Sequence, residues 1–354
     1  MTLHERVLLL DVLEILKKHS NEQHTFTQKQ VIDKLQENEH YEFVQRKTVK
    51  HALQKLRDYG FVDAKAYPRN VKNQQTGEIE EITVYRDYYY KPPFSEQELH
   101  LLIDGILFSK HATYSMKQAL IEKLENLTSE HFKSRKSDMI ADDGIGLTDA
   151  QLFQNIGKLN EAMSTSKKVI FSYNRYVVNA RYELLFEQEK TRDGQVRQYV
   201  INPYQMVATN GRYYVICNND RFDNMSYYRI DRMSHIVVQE EAVKPIKTLP
   251  GYEKGLHMPE HMQQHLYLFS GELITASIRF QKKRLTEFVD WFGTTQPYFS
   301  NQTTDDITAT IRVNYNALRK WALQYGLYFR VTEPAQLVDD IKADIEQVCG
   351  NYFQ

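Results

Sequence analysis

The spacing of apolar residues changes along this chain, and the change limits the folds open to it. From Phe94 to Met163 apolar side chains recur at helical spacing. From Lys168 onward, runs such as Tyr213-Tyr214-Val215-Ile216 follow the two-residue period of strands. A chain of 354 residues is long enough to hold two or three separate cores. We therefore expect a multidomain α+β protein.

Charge is unevenly distributed, although the chain as a whole is nearly neutral. Its 45 basic side chains against 46 acidic ones argue against a generally basic, histone-like protein. Residues 46–72, however, hold eight basic and only two acidic side chains. Such a local excess is expected where a protein meets phosphate, and a solvated helix face is the alternative.

Cysteine content and hydropathy indicate the compartment. Cys217 and Cys349 are too few for a zinc module or a disulfide framework. No apolar run reaches the length of a membrane span, and no secretory leader pattern is present. We expect a cytoplasmic protein that does not bind membranes.

Residues 1–92 are predicted to form three helices and a β-hairpin. Thr27 followed by Gln30 is a capping box that begins the second helix, and Gly60 ends the third. The predicted elements are helices at 7–16, from Thr27 and at 46–59, and strands at 61–67 and 79–90 around a polar tip at 68–78. This order is typical of a winged helix-turn-helix domain, whose third helix enters the major groove of duplex DNA.

The basic faces of the third helix and of the hairpin are the candidate DNA contacts. In this geometry the helix reaches base edges and nearby phosphates, while the wing approaches the backbone. The candidates are Arg46, Lys47, Lys50, His51 and Gln54 on the helix and Lys65, Arg69 and Lys72 on the wing. Four acids further along the wing would oppose DNA, so a winged helix used only for protein contacts stays open; they are Glu78, Glu80, Glu81 and Asp87.

Residues 93–147 are predicted to form a helical linker. Ser95 with Glu98 makes a second capping box, a further helix is expected at 119–127, and 134–146 is polar. Thr148 with Gln151 makes a third capping box, which opens the next domain. Helices between a DNA-binding domain and a later domain are natural dimer contacts, so we expect a homodimer. Packing of these helices within one monomer is the alternative.

Residues 148–246 are predicted to form a small antiparallel β-barrel behind a leading helix. Asp193-Gly194 and Asn210-Gly211 lie between strand-like runs, which is the strongest short-range signal for hairpins. About five strands are expected. Alternation places Arg212 and Tyr214 on one face and Tyr213 and Val215 on the other.

Three segments of this domain resemble the WYL domain of bacterial transcriptional regulators. They are Asn202-Pro203-Tyr204, Asn210 to Val215 and Tyr228 to Met233. The signature tripeptide is Tyr213-Tyr214-Val215, with tyrosine for tryptophan and valine for leucine. Many members carry arginine four residues before the proline, where this chain has Tyr199, with Arg197 two residues upstream.

The resemblance implies a domain that senses nucleotides or nucleic acid fragments and controls DNA binding by the N-terminal head. Aromatic rings interleaved with guanidinium groups suit such ligands independently of the resemblance. The candidate ligand-binding residues are Tyr173, Arg197, Tyr204, Arg212, Tyr214, Arg229 and Arg232. Half-buried packing is the alternative for the tyrosines, and an ion pair of Asp231 with Arg232 is the alternative for that arginine.

Residues 272–354 are predicted to form a ferredoxin-like domain. The pattern reads β-α-β-β-α-β-α, and it resembles the extension that follows WYL domains. With nine basic and ten acidic residues the segment is not assigned to duplex DNA. Oligomer contacts, or closure of one side of the ligand site, are the expected roles.

Catalytic and metal-binding patterns are weak. His257, His261 and His265 are spaced by four, but Pro259 interrupts the helix and no carboxylate or cysteine completes an obvious ligand set. No persuasive nucleophile with a base is found either. We expect no metal, no cofactor and no enzymatic activity. A metal-dependent enzyme acting on nucleic acid, or an interaction module of a defence or repair complex, are the alternatives.

The sequence thus predicts a DNA-binding transcriptional regulator that responds to a ligand. Its expected partners are a double-stranded DNA operator, a nucleotide or short single-stranded nucleic acid as effector, and a second copy of the chain.

Overall fold

The computed structural model describes residues 3–72, 78–110, 112–134, 147–295 and 297–353. Two compact units, Met1–Gly144 and Ile145–Gln354, divide the chain. Residues 73–77 of the predicted polar tip and most of the predicted polar segment 134–146 lie outside the described residues. Within the described ranges, none of the helices combines the length and apolar character needed to cross a lipid bilayer.

The first unit begins with three helices and a two-stranded hairpin, followed by two more helices. The elements are α1 Leu3–His19, α2 Gln28–Leu35, α3 Arg46–Asp58, β1 Val62–Lys72, β2 Ile79–Tyr90, α4 Glu96–Phe108 and α5 Tyr114–Glu125. The predicted capping boxes at Thr27 and Ser95 both form. Gly60 follows α3 with φ +78°, a conformation that favours glycine and ends the helix.

The core of this unit separates the apolar face of α3 from its basic face. Leu53 and Leu56 of α3 are buried against Val12 and Leu16 of α1, and burying a leucine contributes about 1.5–3 kcal/mol. The strand β1 is longer than predicted, because residues assigned to the tip pair with β2 as far as Lys72.

The second unit contains a curled sheet covered by one helix. Its elements are α6 Asp149–Ser164, β3 Lys167–Val178, β4 Leu184–Gln188, β5 Gln198–Thr209, β6 Arg212–Asn218, β7 Met225–Arg229 and β8 Met233–Ala242. The strand order is β4-β3-β5-β6-β7, and β8 also pairs with β3. Because β7 and β8 are joined only by the 3-10 turn Ile230–Arg232, the sheet curls into a half-barrel.

Local signals account for one hairpin of this sheet, while the prediction for β5 needs correction. Asn210 and Gly211 connect β5 to β6 with φ values of 51° and 74°, as a two-residue hairpin requires. The sequence pattern predicts two short strands here, at 199–201 and 206–208, but the structure has a single strand, β5. An irregularity between Pro203 and Gln205 lets this strand continue past the proline, which has no N–H to donate.

The remainder of the second unit contains a four-stranded sheet and the helices that pack around it. Its elements are α7 Met258–Gln264, β9 Leu273–Gln281, α8 Leu285–Phe292, β10 Tyr298–Ser300, β11 Asp306–Asn314, α9 Tyr315–Tyr325, β12 Phe329–Glu333 and α10 Ala335–Tyr352. The antiparallel strand order is β10-β11-β9-β12. From β9 onward the elements follow the predicted order. Trp321, Phe288 and Phe280 are buried between this sheet and its helices.

Two buried histidines join α7 to the curled sheet. A hydrogen bond of 3.0 Å links Tyr227 Oη with His261 Nε2, and Tyr252 Oη lies 3.2 Å from His261 Nδ1. Burial lowers the pKa of His261 to about 3 and that of His265 to about 4, so both are neutral near pH 7. His257 is exposed. Within the part of the chain that the structure describes, no three His, Cys, Asp or Glu side chains are grouped to hold a metal ion.

These histidines make stability depend on pH. An unfolded histidine has a pKa near 6.5. Below that pH the unfolded chain therefore binds protons at these two positions that the folded chain does not bind. We expect the free energy of unfolding to fall between about pH 6.5 and about pH 4, by about 1.4 kcal/mol per pH unit for each histidine. Urea unfolding across this range measures the slope.

A double variant, His261→Gln with His265→Gln, should flatten that slope, while His257→Gln should leave it unchanged. The wild type, the double variant and the His257 variant share all titrating groups except these three histidines. Equal slopes in wild type and the double variant would show that the buried histidines do not control the pH dependence.

Candidate nucleic-acid interfaces

A groove of about 770 Å³ in the first unit is bordered by the starts of α2 and α3 and by the hairpin. It brings together four of the eight predicted DNA contacts. It also contains two cations that sequence reasoning missed, and no carboxylate is found among the described residues that line it. The six cationic side chains of this cationic groove are Lys29, Arg46, Lys47, Lys50, Arg69 and Arg86.

Local contacts explain why these cations converge. Gln28 Nε2 donates a hydrogen bond of 2.5 Å to the carbonyl oxygen of Arg46, which ties the start of α2 to the start of α3. Arg86 lies opposite Lys65, four residues from Arg69 on the same strand, so alternation places Arg86 and Arg69 on one face of the hairpin. Hairpin register is therefore the signal that points to Arg86, whereas nothing in the sequence indicates that Lys29 would reach the groove.

The other predicted DNA contacts lie outside the groove lining. All eight predicted side chains are exposed. The four not among the lining residues are His51 and Gln54 on α3 and Lys65 and Lys72 on β1. Of the acids that would oppose DNA, Asp87 accepts a hydrogen bond of 2.6 Å from the hydroxyl of Tyr67.

Four aromatic rings of the second unit meet on the curled sheet. They form what we call the aromatic cluster: Phe171, Tyr173, Tyr199 and Tyr228. Phe171 stacks on Tyr199, its direct partner across strands, with ring centroids 5.5 Å apart. Tyr228 lies 5.2 Å from Tyr173 and 5.5 Å from Tyr199. Pairs at these distances add about 0.5–1.5 kcal/mol beyond the area that they bury.

Two guanidinium groups lie over this cluster. Arg232 is 4.5 Å from the ring centroid of Tyr173, and Arg197 is 4.8 Å from that of Tyr199. Arg197 is exposed. Arg232 is held by a hydrogen bond of 2.7 Å from its Nε to the carbonyl oxygen of Asn174. Cations over aromatic faces are stabilised by the ring quadrupole.

The tyrosines of the cluster carry no charge at physiological pH. Burial raises the pKa of Tyr173 and of Tyr228. Burial and a hydrogen bond to Glu189 raise the pKa of Tyr199 to about 12. The cluster therefore offers rings and hydroxyl groups without negative charge that would repel a phosphate.

A second group of arginines shares one carboxylate. Asp231 Oδ2 accepts hydrogen bonds from Arg212 Nη1 at 2.9 Å and from Arg229 Nη2 at 2.7 Å, and its Oδ1 accepts one from Arg229 Nε at 3.1 Å. The ion pair that the sequence offered for Asp231, with its neighbour Arg232, is not the one formed. The carboxylate neutralises one of two guanidinium charges, so this group keeps a net positive charge.

Strand register divides the predicted ligand residues between two faces. Tyr228 lies opposite Val215 and Arg229 opposite Tyr214. Since side chains alternate along a strand, Arg212, Tyr214 and Arg229 face away from Tyr228 and the aromatic cluster. Tyr173 connects the two faces, because its hydroxyl oxygen accepts the backbone N–H of Arg229 at 3.2 Å.

Tyr204 lies apart from both groups. It packs against Ile216, Met225 and Leu249, and its hydroxyl donates to the carbonyl oxygen of Lys244 at 2.8 Å.

Among the rings near Arg197 and Arg232, sequence reasoning missed Phe171 and Tyr199 as candidate contacts. Only the pairing of β3 with β5 brings these two together, and no local pattern indicates that register.

Two domain families match parts of this chain. Residues 154–238 match the WYL domain, and residues 272–349 match the WCX domain. A comparison with curated proteins returns no significant match.

Two solved structures match this chain at low identity. Proteasome accessory factor B/C (PafBC) of Arthrobacter aurescens is 14% identical, with a TM-score of 0.29, over 98% of this chain and 49% of that protein. The chain thus spans about half the length of PafBC. A crystal structure described as a CRISPR Cas-related protein is 13% identical, with a TM-score of 0.36, over 98% of this chain and 83% of that protein. As the sequence resemblance predicted, the chain contains a WYL domain, and a WCX domain follows it.

Proposed function

We propose that this protein is a ligand-responsive, DNA-binding transcriptional regulator. In this proposal residues 1–92 form a winged helix-turn-helix head, and the WYL domain senses a nucleotide or short single-stranded nucleic acid. The observation that carries the proposal is the cationic groove, where six basic side chains converge without a carboxylate among the described lining residues. Duplex DNA supplies a dense row of phosphates to such a surface.

The elements around the groove suit a duplex in shape as well as charge. Arg46, Lys47 and Lys50 lie in the first turns of α3, and the helix start adds the partial positive charge of its free N–H groups. A helix fits the major groove, which is about 12 Å wide. Arg69 and Arg86 on the hairpin then reach the adjacent backbone, and a homodimer places two heads on half-sites about 10 bp apart or a multiple of that.

The aromatic cluster suits a ligand with bases and phosphates. Arg197 is exposed and lies over the ring of Tyr199, so its guanidinium plane can stack with an incoming base while its outer N–H groups contact a phosphate. Stacking on an aromatic ring contributes about 1–3 kcal/mol per base. Arg212 and Arg229 lie on the other face with donors beyond those that Asp231 engages, and they offer a further phosphate contact.

Replacing Lys47 and Lys50 together by alanine should weaken binding to a mixed-sequence duplex at low salt. Each replacement removes about one phosphate contact. The magnitude of the slope of log affinity against log salt should therefore decrease by about 2. Fluorescence anisotropy at several salt concentrations measures both quantities.

The matched control replaces Lys123 and Lys342, two exposed lysines outside the groove, by alanine. It removes the same charge and should preserve the slope. Undetectable duplex binding by the wild type, or equal losses in the two double variants, would refute the proposed head function.

Replacing Arg197 by glutamine and Tyr199 by leucine should weaken binding of a short single-stranded oligonucleotide. The loss of one stacked base predicts a decrease of roughly 5- to 150-fold in affinity. Isothermal titration calorimetry measures it, and thermal unfolding checks that the variant is folded.

Arg175→Gln with Tyr176→Leu is the control, because both side chains are exposed on β3 of the same domain. It should bind the oligonucleotide as the wild type does. A cluster variant that is folded and retains full affinity would show that the aromatic cluster is not the ligand site.

A further inference from the structure

A second cavity, of about 430 Å³, lies within the second unit between α7 and the WCX sheet. We call it the α7 cavity. Nine residues line it, and all but Ile311 have polar side chains: His257, Glu260, Gln263, Gln264, Thr275, Thr295, Thr310, Ile311 and Arg312. The volume is within the range of small-molecule sites, about 300–1,000 Å³. Neither the cationic groove nor the aromatic cluster includes any of these residues.

The polar wall comes from the outer face of the WCX sheet. On β9, Ala276 and Ile278 are buried towards the helices, so Thr275 points to the opposite face. Register places Thr275 directly opposite Arg312, and the next outward pair is Ser277 with Thr310. Hydroxyl groups and a guanidinium thus line this wall, while α7 contributes amide and carboxylate groups to the other.

Arg312 lines the cavity, and among the described residues we find no ion pair within 4 Å for it, whereas Arg279 on the same face pairs with Asp306 at 3.0 Å. Its charge acts at longer range on Glu253, whose carboxyl pKa is lowered by the backbone N–H of Gly251 and by Arg312. The carboxylates near Arg312 have other partners. Glu260 Oε1 accepts from Gln264 Nε2 at 2.9 Å, and Glu253 accepts the backbone N–H of Gly251 at 2.9 Å.

The amides of α7 are fixed in place. Gln263 packs so tightly on Gly293 that an added Cβ there would lie 2.5 Å from Gln263 Nε2. Thr295 Oγ1 donates to Gln263 Oε1 at 3.4 Å, and Gln264 is buried. Side chains that are already ordered lose less conformational entropy when a ligand binds.

We propose that the α7 cavity binds a small phosphate monoester that carries hydroxyl groups, such as a sugar phosphate or a mononucleotide. The guanidinium of Arg312 matches two phosphate oxygens with its fork of donors. Thr275 and Thr310 add hydroxyl contacts to the same group. The Glu260 carboxylate accepts hydrogen bonds from ligand hydroxyls, which a bare inorganic anion does not offer.

Helix α7 also connects this cavity to the WYL sheet. His261, on the same helix as Glu260 and Gln263, bonds Tyr227 of β7, so one helix serves both the cavity and the sheet. Occupation of the cavity therefore acts on the WYL domain through a single rigid element.

Calorimetric titration of the full chain with ribose 5-phosphate tests the proposal. We expect saturable binding at one site per chain, with affinity reduced about tenfold or more in Arg312→Gln. Arg330→Gln, which removes an exposed arginine from the same sheet face outside the cavity, should bind normally. Inorganic phosphate and ribose should each bind more weakly than the ester.

Thr275→Val is a second variant, nearly equal in shape and without the hydroxyl, which should bind about fivefold more weakly. The proposal is overturned if ribose 5-phosphate and adenosine 5′-monophosphate both fail to saturate, or if Arg330→Gln loses as much affinity as Arg312→Gln. Duplex binding by Arg312→Gln without added ester should equal that of the wild type, so this result is independent of the proposed DNA-binding function.

Discussion

The curled sheet of the WYL domain depends on how the turn Ile230–Arg232 is fixed to β3. Asn174 and Arg232 exchange two hydrogen bonds: Asn174 Nδ2 donates to the Arg232 carbonyl at 3.0 Å, and Arg232 Nε donates to the Asn174 carbonyl at 2.7 Å. Asn155 of α6 adds a bond of 2.7 Å to the carbonyl oxygen of Met233. Since β7 and β8 run directly into this turn, these bonds determine where the sheet curls. Buried donors and acceptors of this kind are costly to leave unpaired, which makes the geometry specific.

The same turn positions the charged groups of the candidate ligand site. Arg232 lies over Tyr173 because its Nε is held by Asn174, and Arg229 reaches Asp231 two residues further along. Tyr173 accepts the backbone N–H of Arg229, so ring and turn are held together. The segment from Tyr228 to Met233, which carried the WYL resemblance, therefore has a structural role as well as the proposed binding role.

Local sequence signals predicted local structure well. The capping boxes at Thr27, Ser95 and Thr148 all form, and Asn210-Gly211 makes the expected hairpin turn. Each depends on residues that are close in the chain, so side-chain chemistry alone determines it. The basic face of α3 was predictable for the same reason, because helical periodicity separates it from Leu53 and Leu56.

Contacts between distant strands were not predictable from such signals. Phe171 meets Tyr199 only through the register of β3 with β5, and Lys29 reaches the cationic groove only through the packing of α2 beside α3. The partners of Asp231 show the same limit. Its sequence neighbour Arg232 was the offered partner, but that side chain is engaged by Asn174, and Arg212 comes from another strand. A shift of one residue in the pairing of two strands would move every side chain of the shifted strand to the opposite face of the sheet.

We propose that ligand binding at the aromatic cluster changes DNA binding by the head. The most direct measurement is the duplex affinity of the intact chain with and without saturating single-stranded oligonucleotide, for the wild type and for Arg197→Gln with Tyr199→Leu. Coupling between two sites typically changes affinity by about 5- to 150-fold. We expect such a change in the wild type and its loss in the variant. An oligonucleotide that binds the wild type at the cluster yet leaves duplex affinity unchanged would contradict it.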